Sequence, residues 1–295
     1  MTAEAVTRPG VTSAEQPAPL NQPSLRRRLG RLVLPVYTAL AVGYLFLPIA
    51  VMIAFSFNNP RGRQNITWQG FTFDNYTTIW GRPDIIEPMI RSLTVAVIST
   101  ILATVIGTLV GLALARYHFR GRAPINTFIF LPMATPEIIM GASLLALFVS
   151  IGVQRDLTTI VIAHVMFNIS YVTVTVRARL QGFNRTLEEA AMDLGADEWT
   201  TFRKVTLPLI FPGILAAALL AFALSIDDYV ITSFVAGQAT TFPLWVFGVS
   251  RLGVPPEVNV LGTIIFGIAF LFIAVQLISQ RRRSGSETAP VPRIR

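Results

Sequence analysis

The chain contains six stretches of mostly apolar residues that are each long enough to cross a lipid bilayer. A transmembrane helix needs about 20 such residues, because the hydrocarbon core is about 30 Å thick and an α-helix rises about 1.5 Å per residue. The third stretch is interrupted by Pro132, Pro136 and Glu137, and the fifth contains Asp227 and Asp228. The sequence therefore predicts an all-α integral membrane protein with about six transmembrane helices. These cover approximately 32–57, 92–115, 125–153, 157–176, 209–235 and 258–280.

The amino-acid composition agrees with a surface that faces lipid. Hydrophobic residues make up 53% of the chain and charged residues only 14%, whereas soluble domains carry about 25% charged residues. The formal net charge of +8 could indicate nucleic-acid binding, but the basic residues form short clusters between uncharged runs instead of one basic face. The absence of cysteine excludes disulfides and thiolate metal sites. We therefore expect membrane lipid, and no nucleic acid, as a partner.

The basic clusters predict the orientation of the chain in its membrane. They lie in 26–31, 116–122, 177–204 and 281–283, which six spans bring to the same side. Loops rich in Lys and Arg remain in the cytoplasm. The sequence therefore predicts a multi-pass plasma-membrane protein with both termini cytoplasmic.

The remaining segments divide into tails and loops. Residues 1–24 are rich in Ala, Thr, Pro, Glu and Gln without periodicity, which predicts a disordered cytoplasmic tail. The first apolar stretch is too long for a signal peptide. Residues 284–295 are predicted to form a second disordered cytoplasmic tail, which leaves 25–283 as the membrane domain. The outer loop, about 58–91, carries five Trp, Phe or Tyr residues, so we expect it to fold against the membrane face.

Segment 184–208, between the fourth and fifth stretches, has the pattern of two short helices. Thr186 followed by Glu189 predicts a capping box at the start of the first helix, and Gly195 predicts its end. Asp197 then starts a second helix, and Pro208 ends the loop. One apolar face of the first helix is formed by residues at spacings of three and four: Leu187, Ala190, Ala191 and Leu194.

The polar face of this segment is acidic. Helices that lie on a bilayer usually carry Lys and Arg there, to meet anionic lipid. A protein partner with a groove and basic surroundings therefore fits this segment better than a lipid surface does. The acidic residues are Glu188, Glu189, Asp193, Asp197 and Glu198.

The same segment resembles the EAA loop of ABC importer permeases. The family pattern is Glu-Ala-Ala, then Gly, then Ile-x-Leu-Pro, and Val205 stands where Ile is usual. The resemblance implies a type I importer permease (MetI-like) architecture in a bacterial plasma membrane. It also implies that the loop docks into a cleft of an ATPase subunit. The implied docking residues are Glu189, Ala190, Ala191, Gly195, Leu207 and Pro208.

The resemblance further implies the composition of the transporter. A dimer of ABC ATPase subunits, a second homologous permease subunit and an extracytoplasmic solute-binding protein would complete it. This chain has no GxxxxGK[ST] loop, and its only lysine, Lys204, has no glycine-rich neighbours. We therefore expect no cofactor in this chain, ATP binding by a partner subunit, and no enzymatic activity of its own.

Three acidic residues, Glu137, Asp227 and Asp228, are candidates for the substrate pathway. Ionisable residues within spans cost about 2.5–3.5 kcal/mol each at the helix centre, and no basic residue in the predicted spans is placed to neutralise these three. A polar cavity and a cationic substrate would explain them. The alternative is that the aspartates are solvated near the outer interface and that Glu137 follows a helix broken at Pro136.

Two further patterns have structural interpretations. His118 and His164 are far apart in sequence, and we expect surface exposure or packing instead of metal binding. Gly107 and Gly111 form a GxxxG spacing in the second stretch, which permits close helix packing.

Segments 131–141 and 222–237 are similar to spermidine/putrescine permeases, specifically to the second of their two permease subunits. This resemblance implies polyamine import, and intramembrane carboxylates suit polycations. Another substrate, such as an aminophosphonate or a different organic cation, remains open within the same class. An ion-coupled secondary transporter or a self-sufficient channel is the alternative from a different class.

Overall fold

The computed structural model of the chain describes residues 25–62, 64–182 and 184–286. The predicted tail 1–24 lies outside these ranges, as does 287–295, while 284–286 continue the last helix. A 3₁₀ turn, Ile79–Gly81, follows α2, and a π-helical turn, Phe202–Thr206, joins α8 to α9. The helices are α1 Leu25–Ser56, α2 Asp74–Thr78, α3 Pro83–Arg116, α4 Arg122–Ala134, α5 Glu137–Ser150, α6 Leu157–Gln181, α7 Thr186–Asp193, α8 Glu198–Thr201, α9 Leu207–Ile226, α10 Val230–Val235, α11 Phe242–Ser250 and α12 Pro256–Ser286.

Most of the predicted membrane-spanning stretches correspond to long apolar helices in the described part of the chain. Within the described residues, four helices are long and apolar enough to cross a membrane, or five if α4 and α5 together form one bent span. The sixth predicted stretch, 258–280, lies within α12, which runs from Pro256 to Ser286. The four helices are Val33–Ser56, Pro83–Arg116, Leu157–Gln181 and Glu198–Ile226.

The third predicted span is broken in two. α4 and α5 are bent by 109° relative to each other, with Thr135 in an extended conformation and Pro136 as the N-cap of α5. A residue before proline is pushed out of the helical region by the proline ring. The interruption predicted within 125–153 is therefore a sharp break, and Glu137 lies in the first turn of α5, directly after it.

The fifth predicted span also ends early. α9 stops at Ile226, residues 227–229 form a break, and α10 begins at Val230. Asp227 and Asp228 lie in this break, so the prediction of one helix from 209 to 235 is wrong.

Helices α3, α6 and α9 pack against each other and form the centre of the unit that begins at Met52. Their contact is lined by buried residues that include Ala103, Val172, Ala217 and Ala221. Small residues let the helix backbones approach closely, as packing in membranes requires. The unit that ends at Val51 contributes the exposed apolar helix of α1.

The predicted GxxxG contact is present. A Cβ atom added to Gly107 would lie 2.8 Å from the Cβ of Val172, and one added to Gly111 would lie 3.2 Å from the Thr173 carbonyl oxygen. Thr173 Oγ1 also donates a hydrogen bond to the Gly107 carbonyl at 3.2 Å. The added Cβ of Gly111 would also lie 3.5 Å from the Cβ of Val176. Since the pairs 107–172 and 111–176 both advance by four residues in the same direction, α3 and α6 run parallel here.

The outer loop is folded, as its aromatic residues predicted, although α3 already begins at Pro83. Asn58 is fully buried and donates to Asn65 Oδ1 at 2.6 Å, while Asn75 donates to the Asn58 carbonyl at 2.8 Å. Phe57 stacks on Phe71, with ring centroids 5.5 Å apart. These contacts fix the connection from α1 to α3.

Candidate functional site

The first loop helix, α7, begins where the sequence predicted but is capped differently. Thr186 is the first helical residue, and no side chain caps the helix at the preceding Arg185. Asn184 Oδ1 instead accepts a hydrogen bond from the Thr186 backbone N–H at 3.1 Å. The predicted capping box with Glu189 is therefore wrong, because the Asx turn at Asn184 shifts the cap upstream.

The end of α7 follows the prediction. Gly195 has φ +86°, the left-handed conformation that favours glycine. The N–H of Ala196 bonds to the Ala191 carbonyl at 3.1 Å and that of Gly195 to the Met192 carbonyl at 2.9 Å. These two bonds form a Schellman motif, so the chain turns sharply into the next helix.

The predicted start of the second loop helix is also confirmed. The Asp197 carboxylate accepts a hydrogen bond from the Thr200 backbone N–H and caps α8. Hydrogen bonding to Thr200 lowers the pKa of the Asp197 carboxyl below its ordinary value. A charged acceptor at this position also suits the positive end of the helix dipole.

Pro208 does not end the loop. α8 continues through the π-helical turn into α9, so that Glu198–Ile226 is one continuous helix. In a regular α-helix the ring of Pro208 would clash with the Lys204 carbonyl four residues earlier. The π turn widens the helix at this point, since the Leu207 N–H bonds to the Phe202 carbonyl instead of to residue 203. The loop is therefore rigidly continuous with a membrane-spanning helix.

An open groove of about 990 Å³ lies between α7, α8 and the end of α3. Glu189 lines it, and Ala190, Gly195 and Pro208 are exposed, while Ala191 and Leu207 are half-buried. The predicted docking residues thus lie on α7, in the turn at Gly195 that follows it, and at the start of α9, and α7 packs against the π turn that leads into α9. The groove lining includes Leu109, Leu112, Arg116, Tyr117, Met192, Asp197, Glu198, Trp199 and Phe202.

The apolar face of α7 points outward, and its buried residue is acidic. Glu188 receives hydrogen bonds from the Arg116 guanidinium and from the Thr206 hydroxyl. We call Glu188, Arg116 and Thr206 the anchor cluster. Sequence reasoning missed its role, because the three residues come from separate segments and Glu188 looked like one more solvated acid.

A second polar cluster lies inside the helix bundle. His164 on α6 is buried, with Nδ1 2.5 Å from Ser225 Oγ and Nε2 2.9 Å from Thr232 Oγ1. Ser225 Oγ in turn lies 2.8 Å from Ser99 Oγ on α3. We call Ser99, His164, Ser225, Asp228 and Thr232 the buried cluster. It holds α3 and α6 to the break between α9 and α10.

The carboxylate of Asp228 belongs to this cluster. Its Oδ2 accepts from the Thr232 hydroxyl at 2.6 Å and from the Thr232 backbone N–H at 2.8 Å, and lies 3.3 Å from His164 Nε2. Since the Thr232 hydroxyl proton is donated to Asp228, its oxygen accepts from the Nε2–H of His164. Asp228 is therefore not isolated, because Thr232 and the His164 ring contact its carboxylate, and His164 is more than a packing residue.

The other two acidic candidates are not held in this way. Asp227 is exposed although it adjoins Asp228. Glu137 is exposed in the first turn of α5, where the helix dipole favours an anion. The structure thus separates the three acids into one that is internally bonded and two that are accessible.

Comparison with known proteins decides the family. The family model for "Binding-protein-dependent transport system inner membrane component" matches residues 103–284, well over half of the chain. The chain belongs to this family. It is therefore a permease component of an ABC importer in the inner membrane, as the EAA resemblance predicted.

Individual relatives agree with this assignment. The chain is 40% identical to the spermidine/putrescine transport system permease protein PotC of Haemophilus influenzae, over 81% of this chain and 93% of the relative. It is 37% identical to the putrescine transport system permease protein PotI of Escherichia coli K12, over 84% of this chain and 91% of that protein. These relatives are transport permeases and not enzymes, so the permease is classed with them rather than with ion-coupled carriers.

A solved structure supports the fold. A bacterial ABC transporter involved in the import of the acidic polysaccharide alginate matches 88% of this chain and 98% of its own, with a TM-score of 0.63 and 18% identity. At this identity the likeness concerns the fold alone. It confirms the type I, MetI-like architecture.

Proposed function

We propose that this permease imports polyamines, spermidine and putrescine, which an extracytoplasmic binding protein delivers. The observation that carries the proposal is the 40% identity to a spermidine/putrescine permease over 93% of that relative's length. The similarity to a putrescine permease points to the same chemical class. Both substrates are flexible polycations, so carboxylates along the pathway would suit them.

Asp227 and Glu137 are the residues that we propose line this pathway. Both carboxylates are accessible, and both lie where a helix is broken, after α9 and before α5. Breaks within a membrane are tolerated where they line a cavity or are buried in protein. Asp228 would act differently, by holding the break in place so that Asp227 remains exposed.

The rest of the importer follows from the same proposal. A dimer of ATPase subunits would bind ATP, a second homologous permease would complete the pathway, and lipid would surround both. α7 would dock into the ATPase with Glu189, Ala190, Ala191, Gly195, Leu207 and Pro208. This requires the α7 end of the bundle, and with it both termini, to face the cytoplasm, which is the orientation that the arginines favour.

Transport would then follow alternating access. Closure of the ATPase dimer around ATP would open the pathway outward, and hydrolysis with product release would return it inward. Such a cycle needs an element with two arrangements that nucleotide and substrate both bias. The continuous helix from α8 through α9 supports this role, because it joins the docking loop directly to a span.

The test is isolation of the permease from its native membrane in mild detergent. We expect an ATPase and a second permease to co-purify, and hydrolysis to rise when spermidine and the binding protein are added. If the ATPase co-purified but polyamine did not stimulate hydrolysis, the proposed substrate would be wrong, while the assignment to ABC importer permeases would stand. Failure of spermidine to compete with labelled putrescine for uptake would favour another organic substrate, such as an aminophosphonate.

A further inference from the structure

The polarity of α7 is inverted relative to that of an ordinary surface helix. Its side chains Leu187, Met192 and Leu194 are 50%, 44% and 89% exposed, whereas Glu188 is only 9% exposed. Surface helices normally turn an apolar stripe toward the protein. The inward contact of α7 therefore depends on a carboxylate, and the apolar side chains remain available to a partner.

One oxygen of this carboxylate joins three elements. Glu188 Oε1 accepts from Arg116 at the end of α3 and from Thr206 at the end of the π turn. Thr206 is fully buried, and the Arg116 side chain is 25% exposed. Hydrogen bonds to charged groups in such partly desolvated places are stronger than neutral ones. The anchor cluster is therefore a directional attachment of α7 to the bundle.

The two partners of Glu188 lie on the helices that a transport cycle must move. Arg116 is the last residue of α3, and Thr206 immediately precedes α9. α3 and α9 pack against each other and against α6. A displacement of α7 must therefore either break both bonds to Glu188 or shift the ends of two spans together.

We propose that Glu188 is a positioning residue that transmits movement of α7 to α3 and α9 at the same time. The proposal rests on the proposed docking of an ATPase onto α7. In this proposal Glu188 acts from the bundle side, where it is buried, and its exposed neighbour Glu189 meets the ATPase. Its loss should uncouple ATP hydrolysis from transport without releasing the ATPase.

The experiment uses the complete transporter purified from cells and returned to vesicles, with labelled putrescine as the probe. Three quantities are measured: the amount of co-purified ATPase, the rate of ATP hydrolysis and the uptake of putrescine. For Glu188→Gln we expect unchanged ATPase recovery and an uptake per ATP hydrolysed that falls about tenfold, within the range of ordinary coupling energies. A residue needed only for folding would lower hydrolysis and uptake in proportion.

Two further variants keep the test decisive if Glu188→Gln fails to fold. Thr206→Val removes one hydroxyl while it keeps the shape and the Arg116 pair, and should lower uptake per ATP in the same direction but less. Exchanging the pair, with Glu188→Arg and Arg116→Glu together, should restore part of the coupling. The matched control is Glu87→Gln, which breaks another Glu–Arg pair within α3 and should leave the ratio unchanged.

Coupling equal to wild type in both Glu188→Gln and Thr206→Val would overturn the proposal. Loss of the ATPase from the Glu188→Gln complex would also overturn it, because Glu188 would then belong to the docking surface. These outcomes differ from failure of the proposed function, in which the wild-type permease itself would recover no ATPase.

Discussion

The anchor cluster and the buried cluster are built from similar parts but have different surroundings. Each has a carboxylate that accepts a hydrogen bond from a threonine hydroxyl and faces a basic side chain, Arg116 in one and His164 in the other. The anchor cluster borders an open groove, whereas every side chain of the buried cluster is enclosed. The first can therefore respond to a partner, while the second fixes the bundle around it.

The two clusters also lie at different depths. Ser99 precedes Arg116 by seventeen residues on α3, which corresponds to about 25 Å along the helix axis. This is close to the thickness of a hydrocarbon core of about 30 Å. The buried cluster thus holds the middle of α3 and the anchor cluster its last residue, so a movement of this end would be taken up between two separate attachment points.

The largest effect is expected when the buried cluster loses its histidine. His164→Ala would leave the buried hydroxyls of Ser225 and Thr232 without their imidazole partner, and each buried polar group left unsatisfied costs about 1–3 kcal/mol of folding free energy. We expect a large fall in the thermal unfolding midpoint of the detergent-solubilised permease. The control is His118→Ala, since His118 is exposed and should change stability by less than about 0.5 kcal/mol. Equal effects of the two substitutions would refute the stabilising role of the buried cluster.

A smaller effect is expected from filling the helix contact between the clusters. Gly107→Ala would place a Cβ atom 2.8 Å from Val172 and 3.0 Å from the Ile169 carbonyl, and overpacking of this kind costs about 1–3 kcal/mol. A Cβ atom added by Gly267→Ala would meet nothing within 4 Å. This substitution should therefore stabilise the permease, by about 0.5–1 kcal/mol, because alanine has the higher helix propensity. Thermal unfolding of both variants measures the difference, and destabilisation by both would show that the α3–α6 contact is not the cause.

The adjacent aspartates permit a comparison of function with stability. Asp227→Asn should leave the unfolding midpoint unchanged and reduce the efficiency of putrescine uptake about threefold, which is the size of one partly screened charge pair. Asp228→Asn should lower the midpoint instead, because its carboxylate accepts two bonds from Thr232. Uptake and unfolding are measured on the same preparations. If Asp227→Asn lowered stability and left uptake intact, the proposed pathway role would be wrong.

How much the sequence could predict differs between the two clusters. Gly195 predicts a helix end and Asp197 predicts a helix N-cap, so the end of α7 and the start of α8 follow from local sequence. The buried cluster joins residues from four helices, and its geometry depends on the break at 227–229. Asp227 and Asp228 interrupt the apolar run at this point, but the run resumes in α10, so the sequence predicted one helix where there are two.

The proline breaks show the same limit. Pro136 was visible as an interruption, but neither the bend of 109° nor its direction follows from one residue. Pro208 predicted the end of the loop, whereas the π turn before it accommodates a residue without a backbone N–H, and the helix continues. A proline therefore predicts that regular geometry fails at a point, and only packing determines whether the helix bends, ends or widens there.

The smallest expected effect concerns the cap that separates α7 from α8. Since the pKa of Asp197 is lowered in the folded protein, its cap stabilises α8 above the ordinary carboxyl pKa and is lost as the pH falls through the lowered one. The measured quantity is the rate of amide hydrogen exchange in 198–206, as the ratio of wild type to Asp197→Asn at the same pH. We expect this ratio to rise only at acidic pH. Asparagine caps a helix without titrating, and the ratio cancels the intrinsic pH dependence of exchange. A ratio that stays constant across this range would show that titration of the Asp197 cap does not control the order of α8.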